Sequence, residues 1–362
     1  MNKSTDTPTF RLQQAGVSLW LDNITRTLLD DGTLQGYIDE SNVTGLTSNP
    51  SIFDQAIDSG AYDTAIQHKL AAGKSGEALF FELAMEDLRR AADFFKPVHE
   101  RSKGLDGWVS LEVSPLLAYD PASTLAEAQH LYAEANRANL FIKIPGTKEG
   151  LSAIEEATFA GIPVNVTLLF SMEQYQAAAE AWLRGVERRI AAGLNPDVRS
   201  VASVFISRWD RAVVGKVPDA LNNQLGVAIG KRTYQAYREF LGSKRCVAVQ
   251  QAGAQPQRLL WASTGTKDPV LPASFYVDSL IAPDTINTIP EKTLQAYCEH
   301  GAGGTPLSPD GGDANSILAA FAQAGVDYHE LADKLQQDGA AAFVESWHEL
   351  LATIAAKGEE AA

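Results

Sequence analysis

The sequence predicts an α/β protein, a single (β/α)8 TIM barrel with additional C-terminal helices. Three observations carry that expectation: eight short apolar or β-branched runs recur along the chain, helical patterns separate most of them, and polar residues gather at the same end of the runs. Repeated β-then-α units imply a parallel sheet, and eight such strands suggest closure into a barrel. A length of 362 residues suits one such unit as well as two domains.

In order, the candidate strands are Ser18–Asp22, Val43–Thr47, Trp108–Val113, Leu140–Ile144, Pro163–Leu168, Val201–Ile206, Arg258–Ala262 and Asp284–Thr288. Two of the helices between them have recognisable starts. Asp120-Pro121 precedes an Ala-rich run with Leu125, Leu131 and Tyr132, and Ser171 precedes Tyr175, Trp182, Val186 and Ile190. Gly301 to Asp313 is a loop by composition. Beyond it, Ala314 to Ala356 reads as two or three helices packed on the barrel, with Leu331, Leu335 and Phe343, then Trp347, Leu350 and Ile354, at helical spacings. The division that follows is an N-terminal tail at 1–14, the barrel at 15–300, loop and C-terminal helices at 301–356, and a tail at 357–362. Residues 1 to about 12 and 357–362 are expected to be frayed.

Hydrophobic residues at 45% and charged ones at 21% give the balance of a soluble globular protein with a large core. No apolar run approaches the roughly 20 residues that span a bilayer, and Met1 to Thr9 lacks the apolar stretch of a secretory signal, so a cytoplasmic protein is expected. Cys246 and Cys298 fit no metal or redox spacing and agree with a reducing compartment. A net charge of −15 argues against nucleic acid and anionic membrane as partners. Anionic small molecules stay open, because a cleft needs only one or two local cations and backbone N–H groups to hold them. The six histidines are scattered, without a His-x-x-His or Glu-x-x-His pairing, so no catalytic metal is expected.

The segment Asn139 to Gly150 sets a lysine in an otherwise apolar strand. Alternation points Phe141 and Lys143 to one face, Ile142 and Ile144 to the other. An amine held among hydrophobes is disfavoured as the ammonium and gains nucleophilic character, which suits imine formation with a carbonyl substrate. The ordinary alternative is a lysine whose head escapes to water at the strand end. An imine-forming lysine needs a partner that moves protons. Asp22 and Glu112 are the acids embedded in strand patterns, sharing faces with Trp20 and Ser110, although a strand-end acid can equally be a cap or loop anchor. Asn165 and Thr167 share one face, for substrate or for structural hydrogen bonds. Arg208 ends the run from Ser203 and is placed to bind an anion bidentately, with an ion pair to Asp210 or another surface acid as the plainer reading. Ser263-Thr-Gly-Thr-Lys267 has the ingredients of a phosphate loop, though such compositions are frequent in turns, and no nucleotide-binding fingerprint is present.

Six motifs occur in the order and at roughly the spacing of transaldolases: Leu-Trp-Leu-Asp22, Thr-Gly-Leu-Thr-Ser-Asn-Pro-Ser51, Val-Ser-Leu-Glu-Val-Ser114, Phe-Ile-Lys-Ile-Pro145, Asn-Val-Thr-Leu-Leu-Phe-Ser171 and Ala-Ser-Thr-Gly265. The likeness runs from residue 15 to about 350, including Gly-Val-Asp-Tyr328, and is strongest to the longer bacterial type that also occurs fused to phosphoglucose isomerase. The resemblance implies a cofactor-free enzyme of the pentose phosphate pathway that moves a dihydroxyacetone unit between sugar phosphates. It makes Lys143 the Schiff-base residue, Asp22 the acid–base at the C4 hydroxyl, and Glu112 and Thr167 the holders of a catalytic water. Asn49 and Asn165 then contact the three-carbon unit, and Ser203 and Arg208 the phosphate. After the seventh strand, where many members carry a second phosphate-binding arginine, this chain has Ser263 to Lys267, with Lys267 as the candidate replacement.

Two rivals remain at this stage. A related aldolase would release free dihydroxyacetone; that branch is shorter and tends to have tyrosine where this chain has Phe205. A non-catalytic barrel that binds sugar phosphates would have no need for Lys143, Asp22 and Glu112 together. Monomer and homodimer are equally compatible with the sequence.

Overall fold

The computed structural model describes residues 6–359. Eight parallel strands close into a barrel in sequence order: β1 Val17–Asp22, β2 Val43–Thr47, β3 Trp108–Glu112, β4 Leu140–Pro145, β5 Val164–Leu169, β6 Ser200–Phe205, β7 Arg258–Ala262 and β8 Thr285–Ile289. Every end lies within one residue of its predicted position. These strands are buried on both faces, by helices outside and by one another inside, so they read as continuous apolar runs.

The barrel interior is plugged by aromatic rings. Trp108 stacks on Phe141 at 4.1 Å between centroids, and Trp20 lies 6.2 Å from Phe141. Trp20 covers the backbone of Gly45, where a Cβ would sit 2.5 Å from the indole ring. Below the plug, Asp106 accepts from Ser18 Oγ at 2.7 Å and Trp20 Nε1 at 3.2 Å, and pairs with Arg258 at 3.3 Å. That network closes the N-terminal end and leaves the C-terminal mouth as the route to the inward-facing polar residues.

The tail reading needs correction. Pro8–Gln14 is a helix, capped by Thr7, whose side chain accepts from Phe10 N–H, and started by Pro8. Residues 1–5 and 360–362 lie outside the described residues. The region after the Gly301 to Asp313 loop forms two helices, Ala314–Gln323 and Tyr328–Glu359. The second is 32 residues long and continues to Glu359, into the segment expected to fray, where Lys357 pairs with Asp63 at 2.7 Å. It lies across the barrel mouth. Gln336 Nε2 donates to the main-chain carbonyls of Gly146 and Leu168, at the ends of β4 and β5, and Trp347 Nε1 donates to Glu77 Oε1 at 2.7 Å. Gly339 permits the close approach, since a Cβ there would stand 3.1 Å from Leu168 and 3.2 Å from the Arg208 guanidinium. Among the described residues no helix is long and apolar enough to cross a membrane.

Gly45→Ala should lower stability by about 1–3 kcal/mol, because the added methyl meets an indole fixed by its hydrogen bond to Asp106. The midpoint of urea unfolding checks this; an unchanged midpoint would show that the plug yields.

Candidate active site

Parallel register sets Lys143 of β4 beside Glu112 of β3 on one side and Asn165 of β5 on the other. Lys143 Nζ donates to Glu112 Oε2 at 2.9 Å and to the Ser48 carbonyl at 2.8 Å. With 6% of its surface exposed, Lys143 is a partnered interior residue, and the escape of its head to bulk water does not occur. Burial lifts the Glu112 carboxyl above the usual carboxylate range, and the adjacent Lys143 charge pulls it back. Glu112 Oε1 and Thr167 Oγ1 are both buried without a hydrogen-bond partner among the described residues.

Asp22 closes β1. Its carboxyl is also raised, chiefly by burial, against the hydrogen bond from Thr47 and the charge of Lys143. Thr47 Oγ1 lies 2.7 Å from Asp22 Oδ1. Two carboxyls and one amine, all on inner strand faces, thus share a poorly solvated space.

Nine of the eleven residues singled out from the sequence line one pocket of about 710 Å3 at the C-terminal mouth: Asp22, Asn49, Lys143, Thr167, Ser203, Phe205, Arg208, Ser263 and Lys267. Glu112 and Asn165 stand behind its wall. Asn165 Oδ1 accepts from Ser203 Oγ at 2.7 Å while its Nδ2 donates to Ser110 Oγ, so it holds Ser203 toward the pocket. Asn49 caps the helix Pro50–Asp58 through Oδ1, which leaves its amide NH2 for the pocket. The plainer reading of Arg208 fails, because Asp210 instead accepts from the N–H groups of Leu225 and Gly226 and from the Tyr276 hydroxyl. The Arg208 guanidinium lies 5.3 Å over the Phe205 ring, and burial together with the Arg211 charge pushes its pKa down. An arginine remains charged all the same, so this is a cation suited to an incoming anion. Ser263 takes a left-handed backbone, φ 55°, and its hydroxyl meets that of Ser207 at 3.0 Å. Lys267 is exposed on the rim.

Six lining residues escape the sequence reading, Ala262, Gly265, Pro290, Thr47, Thr288 and Phe343, and the last three bear on the chemistry of the site. Thr47 is two positions from Gly45 on the inner face of β2, so strand alternation carries a signal for it. Thr288 has the same kind of signal at the end of β8. Phe343, read as helix packing, roofs the pocket with its ring 6.0 Å from Lys143 Nζ. Nothing in its spacing distinguishes it from a core residue.

A buried amine held by a carboxylate, facing a pocket at the C-terminal mouth whose cations Arg208 and Lys267 have no ion pair among the described residues, defines a lysine-centred (β/α)8 barrel enzyme. Comparison with known proteins narrows the class. The chain belongs to the transaldolase/fructose-6-phosphate aldolase family, whose model matches residues 19–354. It is 44% identical over 358 residues to a transaldolase of Arthrobacter sp. (strain FB24), covering 96% of each chain. Its identity to a transaldolase of Thermobifida fusca (strain YX) is 44% over 96% of this chain and 97% of the relative, and to transaldolase 1 of Streptomyces coelicolor 41% over 95% and 93%. The activity is that of a transaldolase, a transferase.

Lys143→Met should leave Glu112 buried without its counter-charge, a loss of about 3–5 kcal/mol at pH 8. A carboxyl whose folded pKa is raised gives full stability below its unfolded pKa and loses it as pH rises through the folded value. The deficit should therefore shrink toward pH 5 and be largely removed at both pH values in Lys143→Met/Glu112→Gln. Urea unfolding at the two pH values checks this; a deficit independent of pH would contradict it.

Proposed function

We propose that the enzyme transfers a dihydroxyacetone unit from a ketose phosphate, sedoheptulose 7-phosphate or fructose 6-phosphate, to glyceraldehyde 3-phosphate or erythrose 4-phosphate through an imine on Lys143. The observation that carries this reading is the Lys143–Glu112 contact of 2.9 Å at the buried wall of the pocket. Glu112, its carboxyl raised by burial, is placed to take a proton from the lysine, and the freed amine adds to the donor ketone at C2. Loss of the C2 oxygen as water needs proton delivery. The unpartnered Glu112 Oε1 and Thr167 Oγ1 support a role for this pair in holding a water that shuttles those protons.

Asp22 takes the C4 hydroxyl proton, the C3–C4 bond breaks, and its electrons pass to the iminium nitrogen to give an enamine on Lys143. The first aldehyde leaves. The enamine then attacks the carbonyl carbon of the acceptor aldehyde, Asp22 returns the proton, and water releases the new ketose. Asn49 and Asn165 serve the bound three-carbon unit. Ser203, Arg208, Ser263 and Lys267 serve the phosphate, Arg208 foremost because no acid pairs with it among the described residues. Phe343 covers the amine and Phe205 adds an apolar wall to the pocket, which favours retention of the enamine over its hydrolysis. The free thiols of Cys246 and Cys298 support a cytoplasmic enzyme, acting as monomer or homodimer.

A coupled assay with fructose 6-phosphate tests the reading. Turnover should require erythrose 4-phosphate, whereas release of free dihydroxyacetone without it would point to an aldolase. Arg208→Ala should reduce kcat/KM for phosphorylated donors about 10- to 150-fold, from the roughly 1.5–3 kcal/mol of a charge-assisted contact. Unphosphorylated fructose should lose little; equal losses for both would mean that Arg208 supports the fold.

A further inference from the structure

Asp22 has one hydrogen-bond partner among the described residues, Thr47, and Thr47 has a second threonine behind it. Thr47 Oγ1 is 2.7 Å from Asp22 Oδ1 and 2.6 Å from Thr288 Oγ1. The strands explain the arrangement. β1 is flanked by β2 and β8, with Asp22 registered to Thr47 on one side and Trp20 to Thr288 on the other. Both threonines are 3% exposed, and both line the pocket.

A hydroxyl has a single proton, which fixes the direction of the chain. While Asp22 is ionised it only accepts, so Thr47 must spend its proton there and can only accept from Thr288. Thr288 then turns lone pairs toward the pocket. Once the carboxyl is protonated the order can reverse without any hydroxyl losing its own proton: Asp22 donates to Thr47, Thr47 to Thr288, and Thr288 into the pocket.

We propose that Thr47 and Thr288 are positioning residues, a two-hydroxyl relay that holds Asp22 ionised and oriented as the base of carbon–carbon cleavage. The proposal rests on the assignment of Asp22 as that base. Other charges facing Asp22 are Lys143 on β4 and Glu112 on β3, with Arg208 and Lys267 on the shared pocket wall and Glu291 on the adjoining groove. None of these hydrogen-bonds the carboxylate among the described residues, so loss of Thr47 removes its one side-chain hydrogen-bond donor there and leaves only the Lys143 charge to favour the ionised form. Burial already lifts the Asp22 carboxyl, and the Thr47 hydrogen bond is the largest influence opposing it.

The test is kcat for transfer from fructose 6-phosphate to erythrose 4-phosphate across pH 5 to 9. Thr47→Val keeps the shape and loses the donor. Its acid limb should move up by roughly one pH unit and kcat near pH 6 should fall about tenfold, since the base needs a higher pH to ionise. Thr47→Ser should restore both. Thr288→Val should shift the limb the same way by less, and Thr47→Val/Thr288→Val should be no worse than Thr47→Val alone, because one chain is broken in either case. A pH-independent loss in Thr47→Val, or losses that multiply in the double variant, would overturn the relay. If Thr47→Val does not fold, an unshifted limb in Thr288→Val overturns it. Asp22→Asn separates the two readings: an active variant that keeps the acid limb removes Asp22 as the base, whereas an inactive one beside an unshifted Thr47→Val removes only the relay.

Discussion

Placing an ammonium and a carboxylate inside a parallel barrel is the constraint on which the rest of this structure depends. Each charge out of water carries a desolvation penalty of several kcal/mol, and the 2.9 Å contact between Lys143 and Glu112 offsets it only if the geometry is held. Register holds it. Glu112 and Lys143 are opposed residues of β3 and β4, and the Ser48 carbonyl accepts a second hydrogen bond from the amine. A buried pair of this kind is weak support for stability, and well-packed apolar residues would serve the fold as well. The proposed mechanism gives the pair a chemical role instead, since an amine poised beside a proton acceptor is what imine formation uses.

The surroundings follow from that pair. Below it, the rings of Trp20, Trp108 and Phe141 fill the barrel, and the Asp106–Arg258 network closes the far end. Above it, Tyr328–Glu359 crosses the mouth, anchored by Gln336 over β4 and β5 and by Trp347 on Glu77, so that Phe343 roofs the amine. In the proposed transfer, the same exclusion of water that raises the Asp22 and Glu112 carboxyls would protect an enamine waiting for a second aldehyde. Among the described residues no acid lies within ion-pair distance of Arg208, which stacks on Phe205 on one side of the pocket with Asp338 acting on it only at longer range.

Much of this is legible in the sequence, for identifiable reasons. Strands buried on both faces form continuous apolar runs, so all eight stand out, and period-two alternation puts Asp22, Glu112, Lys143, Asn165 and Thr167 on inner faces. What alternation lacks is register between strands, so the direct contact of Glu112 with Lys143 emerges only from the fold. Helical spacing likewise says that one face of Tyr328–Glu359 is apolar without saying what it covers, which is why Phe343 passes for packing. Arg208 and Asp210 are neighbours in sequence, but the backbone N–H groups of Leu225 and Gly226 claim the acid from far along the chain. The helix Pro8–Gln14 is too short for periodicity to register, and only the Thr7-Pro8 cap marks it.

The central claim is that Lys143 carries the substrate covalently, and reductive trapping tests it most directly. Borohydride added with fructose 6-phosphate, followed by peptide mapping, should place one reduced three-carbon unit on the peptide that contains Lys143 and on no other. Labelling that persists in Lys143→Ala, or that maps to Lys148 or Lys267, would contradict the claim.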